Sequence, residues 1–223
     1  KPKDFVQIEF TGRVKDTGEI FDSNIKEDME KLHAGHDHEI KSEPFVFALG
    51  EGMFLKAIDD FLLGKPGDKS NEYNLDLEPE KAFGKRNSML VQTMPMKIFR
   101  EKNVNPVPGT VLNFDGRAGK ILTVSGGRVM VDFNHSLAGK SVSYKIKFLK
   151  KIIDMNDKIN AVNKFFFGKE PKFQVDGKKL IVEVEKQLAP LGALFKDKYK
   201  EILDLDLETK ESKETEENPK KSQ

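Results

Sequence analysis

The sequence lacks cysteine altogether, so a disulfide, a thiolate nucleophile and a thiolate metal site are all excluded. It lacks long apolar runs: Phe165 to Phe167 is far shorter than the roughly 20 residues that span a bilayer. It also lacks a charge excess, because 38 basic residues stand against 37 acidic ones, which argues against phosphate-driven binding of nucleic acid. With no apolar signal segment at the N-terminus, these absences predict a soluble, cytoplasmic protein with no membrane or nucleic-acid partner.

The chain of 223 residues is long enough for two or three compact units. Val6, Ile8 and Phe10 alternate with polar residues, which predicts a strand with one buried face. A short helix is predicted from Phe54 to Leu62, after the glycine turn at 50–52. The polar stretch 23–42 is interpreted as a long loop that is partly helical.

The texture changes at Met89, where a methionine-rich segment precedes a predicted helix opening at Pro95 and three short strands. Asp115-Gly116 and Gly126-Gly127 predict hairpin turns between those strands. Beyond residue 151 the pattern is helix, hairpin, helix, with a thin core that packing against another copy or against the first domain would complete. From residue 208 onward the sequence is charged and almost free of apolar residues, which predicts a disordered tail.

Five stretches of the sequence form an ordered pattern: Phe10-Thr11-Gly12, Phe21-Asp22-Ser23, Pro44 to Ile58, Ala82-Phe83-Gly84 and the strand Val142 to Phe148. In their order and spacing these stretches resemble the FKBP-type peptidyl-prolyl cis/trans isomerases, and the match spans roughly residues 3–151. The insertion that ends in residues 134–140 resembles the insert-in-flap domain of SlyD-like members. The additional C-terminal part is similar in kind to that of the longer archaeal members.

The resemblance implies an α+β fold. A half-barrel antiparallel sheet wraps the short helix in a discontinuous catalytic domain, residues 1–84 plus 140–151. An inserted small β-rich chaperone domain occupies residues 85–139. A C-terminal helix, β-hairpin and helix domain occupies residues 152–207, and the tail runs from 208 to 223.

The resemblance also implies an isomerase pocket that twists X-Pro bonds by desolvating them, without any metal or cofactor. The amide N–H of Leu55 is expected to orient the substrate carbonyl. The alternative is that the residues of this pocket only build the core of the domain, with Asp22 a plain turn or strand-end aspartate. The predicted pocket residues are Phe10, Phe21, Asp22, Phe45, Phe54, Leu55, Ile58, Phe83 and Tyr144.

This sequence departs from the family at three of those positions. Phe10 and Phe83 stand where tyrosine is common, and Ile58 stands where many members have tryptophan. Each lost neutral hydrogen bond costs on the order of 1 kcal/mol. Proline binding is expected to survive, whereas tight binding of macrolide inhibitors is left open.

The insert is predicted to bind unfolded or proline-containing polypeptide clients through flexible apolar side chains. The alternative for each of them is a place in a methionine-filled core. These candidates are Met89, Met94, Met96, Phe99 and Met130.

Three further hypotheses stay open. A holdase chaperone with weak isomerase activity is the main alternative, and a homodimer through the C-terminal domain is one way to complete its core. His33, His36 and His38 form a short histidine-rich stretch that suits a transition-metal ion. His135 is interpreted as a structural hydrogen-bonding residue.

Overall fold

A computed structural model describes residues 1–32, 42–65 and 71–212 of the chain. The described residues fall into two compact units, one drawn from 1–11, 23–73 and 145–223 and the other from 12–22 and 74–144. In chain order the elements are β1 (Phe5–Val14), β2 (Ile20–Ser23), α1 (Lys26–Leu32), β3 (Phe45–Ala48), α2 (Lys56–Leu62), β4 (Glu72–Leu77), β5 (Val91–Pro95), α3 (Met96–Glu101), β6 (Val111–Phe114), β7 (Arg117–Ser125), β8 (Arg128–Asp132), β9 (Val142–Ile152), α4 (Met155–Phe167), β10 (Phe173–Asp176), β11 (Lys179–Val184), α5 (Leu191–Leu203) and β12 (Asp206–Glu211).

The first sheet has the strand order β2-β1-β9-β4, with β3 also paired to β1. The β1–β3 pairing is antiparallel and sets Phe5 opposite Ala48 and Ile8 opposite Phe45. Val6, Ile8 and Phe10 are all buried, as the alternation in the sequence predicts. The α+β class is thus confirmed, and the half-barrel shape stays a prediction.

The helix α2 starts after a turn in which Gly50 and Gly52 both have positive φ. Its apolar residues Ile58 and Leu62 are buried, which matches the predicted helical spacing. Gly64, at φ +80°, follows its last turn in the left-handed conformation that glycine adopts without strain. The predicted helix and its glycine-marked end are therefore confirmed, with α1 as the helical part of the 23–42 stretch.

The second unit contains an antiparallel sheet of four strands in the order β5-β8-β7-β6. Asp115-Gly116 joins β6 to β7 and Gly126-Gly127 joins β7 to β8, and all four residues have positive φ. Successive left-handed residues are what a two-residue hairpin requires, so both turn predictions are confirmed. The strand β5 was missed, because its five residues end in a proline and show no clean alternation.

The C-terminal part packs α4 and α5 with the sheet β10-β11-β12, in which β11 and β12 are parallel. Asp154 caps α4 by accepting N–H bonds from Asn156 and Asp157 at 2.8 and 3.1 Å, and Gly168 ends it at φ +72°. Both predicted helices are confirmed. The predicted start of a disordered tail at residue 208 is wrong, because residues 206–211 pair with β11.

The C-terminal part belongs to the same compact unit as β3 and the start of β1. The helix α4 packs on β3, Lys164 forms an ion pair with Glu43, and the ammonium of Lys3 donates to the Glu201 carbonyl at 2.8 Å. The thin core is thus completed in part by the chain itself. Within the described ranges, no helix is both long and apolar enough to cross a membrane.

Candidate active site

Phe10 is held at its place on β1 by a side chain from the next strand connection. Asn24 Oδ1 accepts the Phe10 N–H at 2.8 Å, and Asn24 Nδ2 donates to the Ile8 carbonyl at 2.9 Å. The amide side chain therefore acts as a clamp on the β1 backbone. It fixes the position from which the Phe10 ring projects.

In the first unit, four phenylalanines form a group that we call the Phe10 cluster: Phe10, Phe45, Phe47 and Phe54. The Phe10 ring lies 4.9 Å from Phe54 and 6.3 Å from Phe45, and Phe45 lies 5.3 Å from Phe54. Phe45 and Phe54 remain partly exposed. The sequence analysis missed Phe47, although it stands two residues from Phe45 and so shares its strand face. Phe47 is fully buried and contacts the rings of both Phe45 and Phe54.

The loop that leads to Phe54 is tied to α2 by a buried carboxylate, Asp59. Its Oδ2 accepts the Gly52 N–H at 3.1 Å, while its Oδ1 has no hydrogen-bond partner among the described residues. Burial raises the pKa of Asp59 above its ordinary value, although the backbone N–H groups of Gly50 and Gly52 oppose that shift. Sequence reasoning missed this residue, because an aspartate in the middle of a helix gives no sign of burial.

Leu55 and Ile58 differ in what they offer a substrate. Leu55 is the N-cap of α2 and is partly exposed, and its amide N–H meets no acceptor within the ranges that the structure describes. Ile58 is fully buried. The structure therefore places Ile58 in the hydrophobic core, whereas Leu55 keeps a donor available.

In the second unit, four rings form a group that we call the Phe21 cluster: Phe21, Phe83, His135 and Tyr144. Phe21 meets Phe83 edge to face at 5.5 Å and Tyr144 at 5.7 Å. The His135 ring stacks on Phe83 at 5.0 Å, and its Nδ1 accepts the Leu137 N–H at 3.2 Å. The structural hydrogen bond predicted for His135 is confirmed, and its stacking role was missed.

Gly12 is what allows Phe21 and Tyr144 to come together. A Cβ at this position would lie 2.8 Å from Phe21 Cζ and 3.0 Å from Tyr144 Cε1, closer than carbon atoms approach without displacement. The glycine in the motif Phe10-Thr11-Gly12 therefore has a steric reason. A side chain there would push the two rings apart.

Asp22 supplies the negative charge of this group. It is partly exposed, and its charge acts on the buried Tyr144 hydroxyl. Burial, and after it the Asp22 charge, raise the pKa of Tyr144 far above its ordinary value. The hydroxyl therefore stays protonated across the physiological range and can serve only as a neutral polar group.

The predicted client-binding residues of the insert do not share one environment. Met89 is 82% exposed and Met130 is 38% exposed, whereas Phe99 is only 3% exposed. Phe99 forms the insert core with Ile121, Val129 and Val131, and Met94 and Met96 pack partly buried against it. The prediction of Phe99 as a client-contacting residue is therefore wrong in this fold, because its ring is buried in the core of the insert.

The residues of the predicted metal site, His33, His36 and His38, lie outside the described residues. Within the described ranges, no group of three or more histidine, aspartate and glutamate side chains could hold a metal ion.

Comparison with known proteins finds two family matches. Residues 1–97 match the family described as FKBP-type peptidyl-prolyl cis-trans isomerase. Residues 92–137 match the FKBP26 IF domain. The second range lies inside the segment 85–139 that the sequence analysis assigned to the insert.

Individual relatives agree with these matches. A short-type peptidyl-prolyl cis-trans isomerase of Methanocaldococcus jannaschii is 29% identical over 147 residues, which cover 66% of this chain and 90% of that protein. An FKBP-type 16 kDa peptidyl-prolyl cis-trans isomerase of Escherichia coli is 34% identical over 114 residues, 48% of this chain and 74% of its own. A SlyD isomerase of Helicobacter pylori is 27% identical over 146 residues, 64% of this chain and 69% of its own.

Proposed function

The chain belongs to the FKBP-type peptidyl-prolyl cis-trans isomerases, and on that premise we propose how its own residues catalyse the reaction and what its insert adds. Rotation about a peptide bond is opposed by about 18–20 kcal/mol, because the planar amide is stabilised by resonance. The twisted amide loses that resonance and is less polar. An apolar surface that removes water from the amide therefore favours the twisted state over the planar one.

The partly exposed rings of Phe45 and Phe54 carry this proposal. They offer apolar surface to a proline ring, and their packing on Phe10 holds them in place. The rings of Phe21 and Phe83, also partly exposed, offer a second apolar surface beside the protonated Tyr144 hydroxyl. No covalent step is required of any of them.

The free amide N–H of Leu55 supports a positioning role for α2. A donor without an acceptor in the described chain is ready to bind the carbonyl of a substrate residue next to proline. The tie from Asp59 to Gly52 holds the turn from which Leu55 follows. The loop then presents its donor without reorganising when a substrate arrives.

The test is isomerisation of a short proline peptide by the wild-type chain and by matched variants. Phe54→Ala removes a partly exposed ring of the Phe10 cluster and should lower kcat/KM about tenfold or more. Leu194→Ala removes an apolar side chain that is 73% exposed on α5, outside the cluster, and should change kcat/KM less than roughly twofold. Equal rates for Phe54→Ala and the wild-type chain, with circular dichroism showing both folded, would remove the Phe10 cluster from the mechanism.

We further propose that the insert holds unfolded client chains and so raises the local concentration of their prolines. Met89 and Met130 support this, because both are exposed on a segment outside the isomerase rings. The Gly139 N–H donates to the Gly84 carbonyl at 2.8 Å, so the two ends of segment 85–139 are adjacent. A short turn can replace that segment.

The shortened chain also loses His135, so isomerisation of a small peptide should survive with a loss of only roughly threefold, while proline-limited refolding of a protein should slow by an order of magnitude or more. Equal losses on both substrates would contradict this division of labour. The alternative, a holdase with weak isomerase activity, predicts near-zero peptide isomerisation in the wild-type chain together with full suppression of aggregation.

A homodimer through the C-terminal part is the third proposal. Leu194 is 73% exposed on α5 and Ile153 is 81% exposed before α4, and a second copy that covers these side chains would remove their apolar surface from water. Light scattering at increasing concentration tests it. A monomer mass for the wild-type chain that persists to high micromolar concentration would dismiss the dimer.

A further inference from the structure

The second unit contains a cleft of about 830 Å³ whose lining includes His135 but none of the other three rings of the Phe21 cluster. It lies on residues of β6, β7 and β8 and on the segment 134–140. Part of its lining is apolar, from Val111, Leu122 and Phe133, and part is cationic, from Arg117, Lys120 and Lys140. The cleft therefore combines the two chemistries that a charged, partly apolar polypeptide needs.

The strand register places Val111, Lys120 and Asp132 on one face of this sheet. Lys120 on β7 stands opposite Val111 on β6 and opposite Asp132 on β8, and directly opposed residues point to the same side of a sheet. Met130 precedes Asp132 by two residues on β8 and therefore points to that side as well. The core residues of the insert, such as Val131, point to the opposite face.

The negative charge of Asp132 is already neutralised. Arg86 donates to its Oδ2 through Nε at 3.0 Å and through Nη2 at 2.7 Å. Asn134 donates to its Oδ1 through the backbone N–H and the side-chain amide. Burial by itself raises the pKa of Asp132, but these hydrogen bonds outweigh it and leave the pKa below its ordinary value, so the carboxylate stays ionised and paired.

The other three cations of the cleft lack such partners. Among residues 1–32, 42–65 and 71–212, no carboxylate forms an ion pair with Arg117, Lys120 or Lys140. Arg117 instead lies over the Phe133 ring at 4.8 Å. The cleft thus keeps three uncompensated positive charges beside an apolar floor.

The cleft is framed by fixed backbone. The Asn134 side chain accepts the Asn87 N–H at 2.8 Å and donates to the Asn87 carbonyl at 2.9 Å. This pair of bonds joins the two segments by which the chain enters and leaves the insert. A site whose walls are already ordered loses less conformational entropy when a ligand binds.

His135 links the cleft to the Phe21 cluster. It lines the cleft and stacks on Phe83, whose edge contacts Phe21. A polypeptide segment in the cleft therefore lies next to the rings of that cluster.

We propose that this cleft binds acidic, partly apolar segments of unfolded polypeptides. These segments lie close, in the client's own sequence, to the proline that is isomerised. The proposal rests on the isomerase function above and names the class of client that the insert selects. Carboxylates pair with Arg117, Lys120 and Lys140, while apolar client side chains contact Val111, Leu122 and the lysine stems. Single-stranded nucleic acid suits the site less well, because its bases stack on aromatic rings, whereas the apolar lining at Val111 and Leu122 is aliphatic.

Fluorescence anisotropy with two labelled, proline-free peptides tests the proposal directly. Both alternate apolar and polar residues; one carries Asp and Glu, and the other carries Asn and Gln at the same positions. At low ionic strength the wild-type chain should bind the acidic peptide about tenfold more tightly, and salt should reduce that preference because exposed charges are screened. Equal affinities for the two peptides would overturn the proposal without the use of any variant.

Two variants locate the effect. Lys120→Glu with Lys140→Glu reverses two charges of the cleft and should abolish the preference for the acidic peptide. Arg128→Glu, on the exposed surface of the same sheet but outside the cleft lining, should retain it. Loss of the preference in both variants, or in neither, contradicts the assignment to this cleft, and so does displacement of the acidic peptide by an oligothymidine at equal charge concentration.

Isomerisation of a neutral proline peptide provides the independent readout. It should be unchanged in Lys120→Glu with Lys140→Glu. If the wild-type chain isomerises this peptide but shows no acidic preference, the cleft assignment alone fails. If the chain shows the preference but no isomerisation, the proposed catalytic mechanism fails and the binding assignment stands.

Discussion

His135 stacks on Phe83 with ring centroids 5.0 Å apart and ring planes only 5° apart. The same imidazole accepts the Leu137 N–H through Nδ1, so in its neutral form the ring carries its proton on Nε2. One side chain thus holds the end of the insert in shape and supports a ring of the Phe21 cluster.

Two substitutions at His135 separate those roles. His135→Phe keeps a ring for Phe83 and loses the acceptor, whereas His135→Asn keeps an acceptor and loses the ring. We expect kcat/KM for a proline peptide to fall about threefold or more in the asparagine variant and to stay near the wild-type value in the phenylalanine variant. The reverse order would show that the hydrogen bond, and not the stack, positions Phe83.

Gly12→Ala should separate Phe21 from Tyr144. The added Cβ would lie 2.8 Å from Phe21 Cζ, and overpacking of this kind costs about 1–3 kcal/mol. Urea unfolding should show that loss, together with a lower kcat/KM. Replacing Phe21 by leucine in the same chain removes the clashing atom and should recover part of the stability; an effect that simply adds to the first would argue against the clash.

Asp59 should make stability fall as pH rises. Its pKa is raised in the folded chain by burial, so between its ordinary value of 3.8 and the folded value the folded state binds more protons than the unfolded state. Its stabilising contribution is then fully present below pH 3.8 and is lost as the pH rises through the folded pKa.

Asp59→Asn tests this, because the amide oxygen can still accept the Gly52 N–H and cannot ionise. The free energy of unfolding of the variant minus that of the wild-type chain should increase from pH 3 to pH 7. Taking the difference cancels the opposite slopes of carboxylates with lowered pKa values, such as those of Asp4 and Asp132. A difference that does not change with pH would show that the Asp59 pKa is not raised.

The strand β11 should depend on its neighbour β12 for protection from hydrogen exchange. It pairs in parallel along six residues, and Leu207 is 3% exposed opposite Leu180. A chain truncated after Leu205 should lose hydrogen-exchange protection in β11 by about tenfold or more. A chain truncated after Ser212 keeps the strand and serves as the control. Unchanged protection of β11 in the chain that ends at Leu205 would exclude β12 from the sheet.

The sequence predicted elements whose signals are local. Asp115-Gly116 and Gly126-Gly127 marked the hairpins of the insert, because only certain residues adopt left-handed backbone without strain. The 3.6-residue spacing of apolar residues located α2, α4 and α5. The strand β12 was not predicted, because its Glu, Thr and Lys residues resemble a solvated tail. Its pairing partner is fixed only by the position of β11 in the folded chain.

The candidate site was likewise predicted in part from local sequence and decided in part by the tertiary structure. The motifs around Phe10, Phe21, Phe45 and Phe83 identified the family and most of the rings from sequence alone, because ring type and order along the chain are written there. Tertiary structure decided which rings touch, that Phe99 is enclosed in the insert core and that Asp59 is buried. It also decided that Lys120 faces a cleft with unpaired charge. Burial, ring contact and charge pairing depend on neighbours distant in sequence, and no local pattern records them.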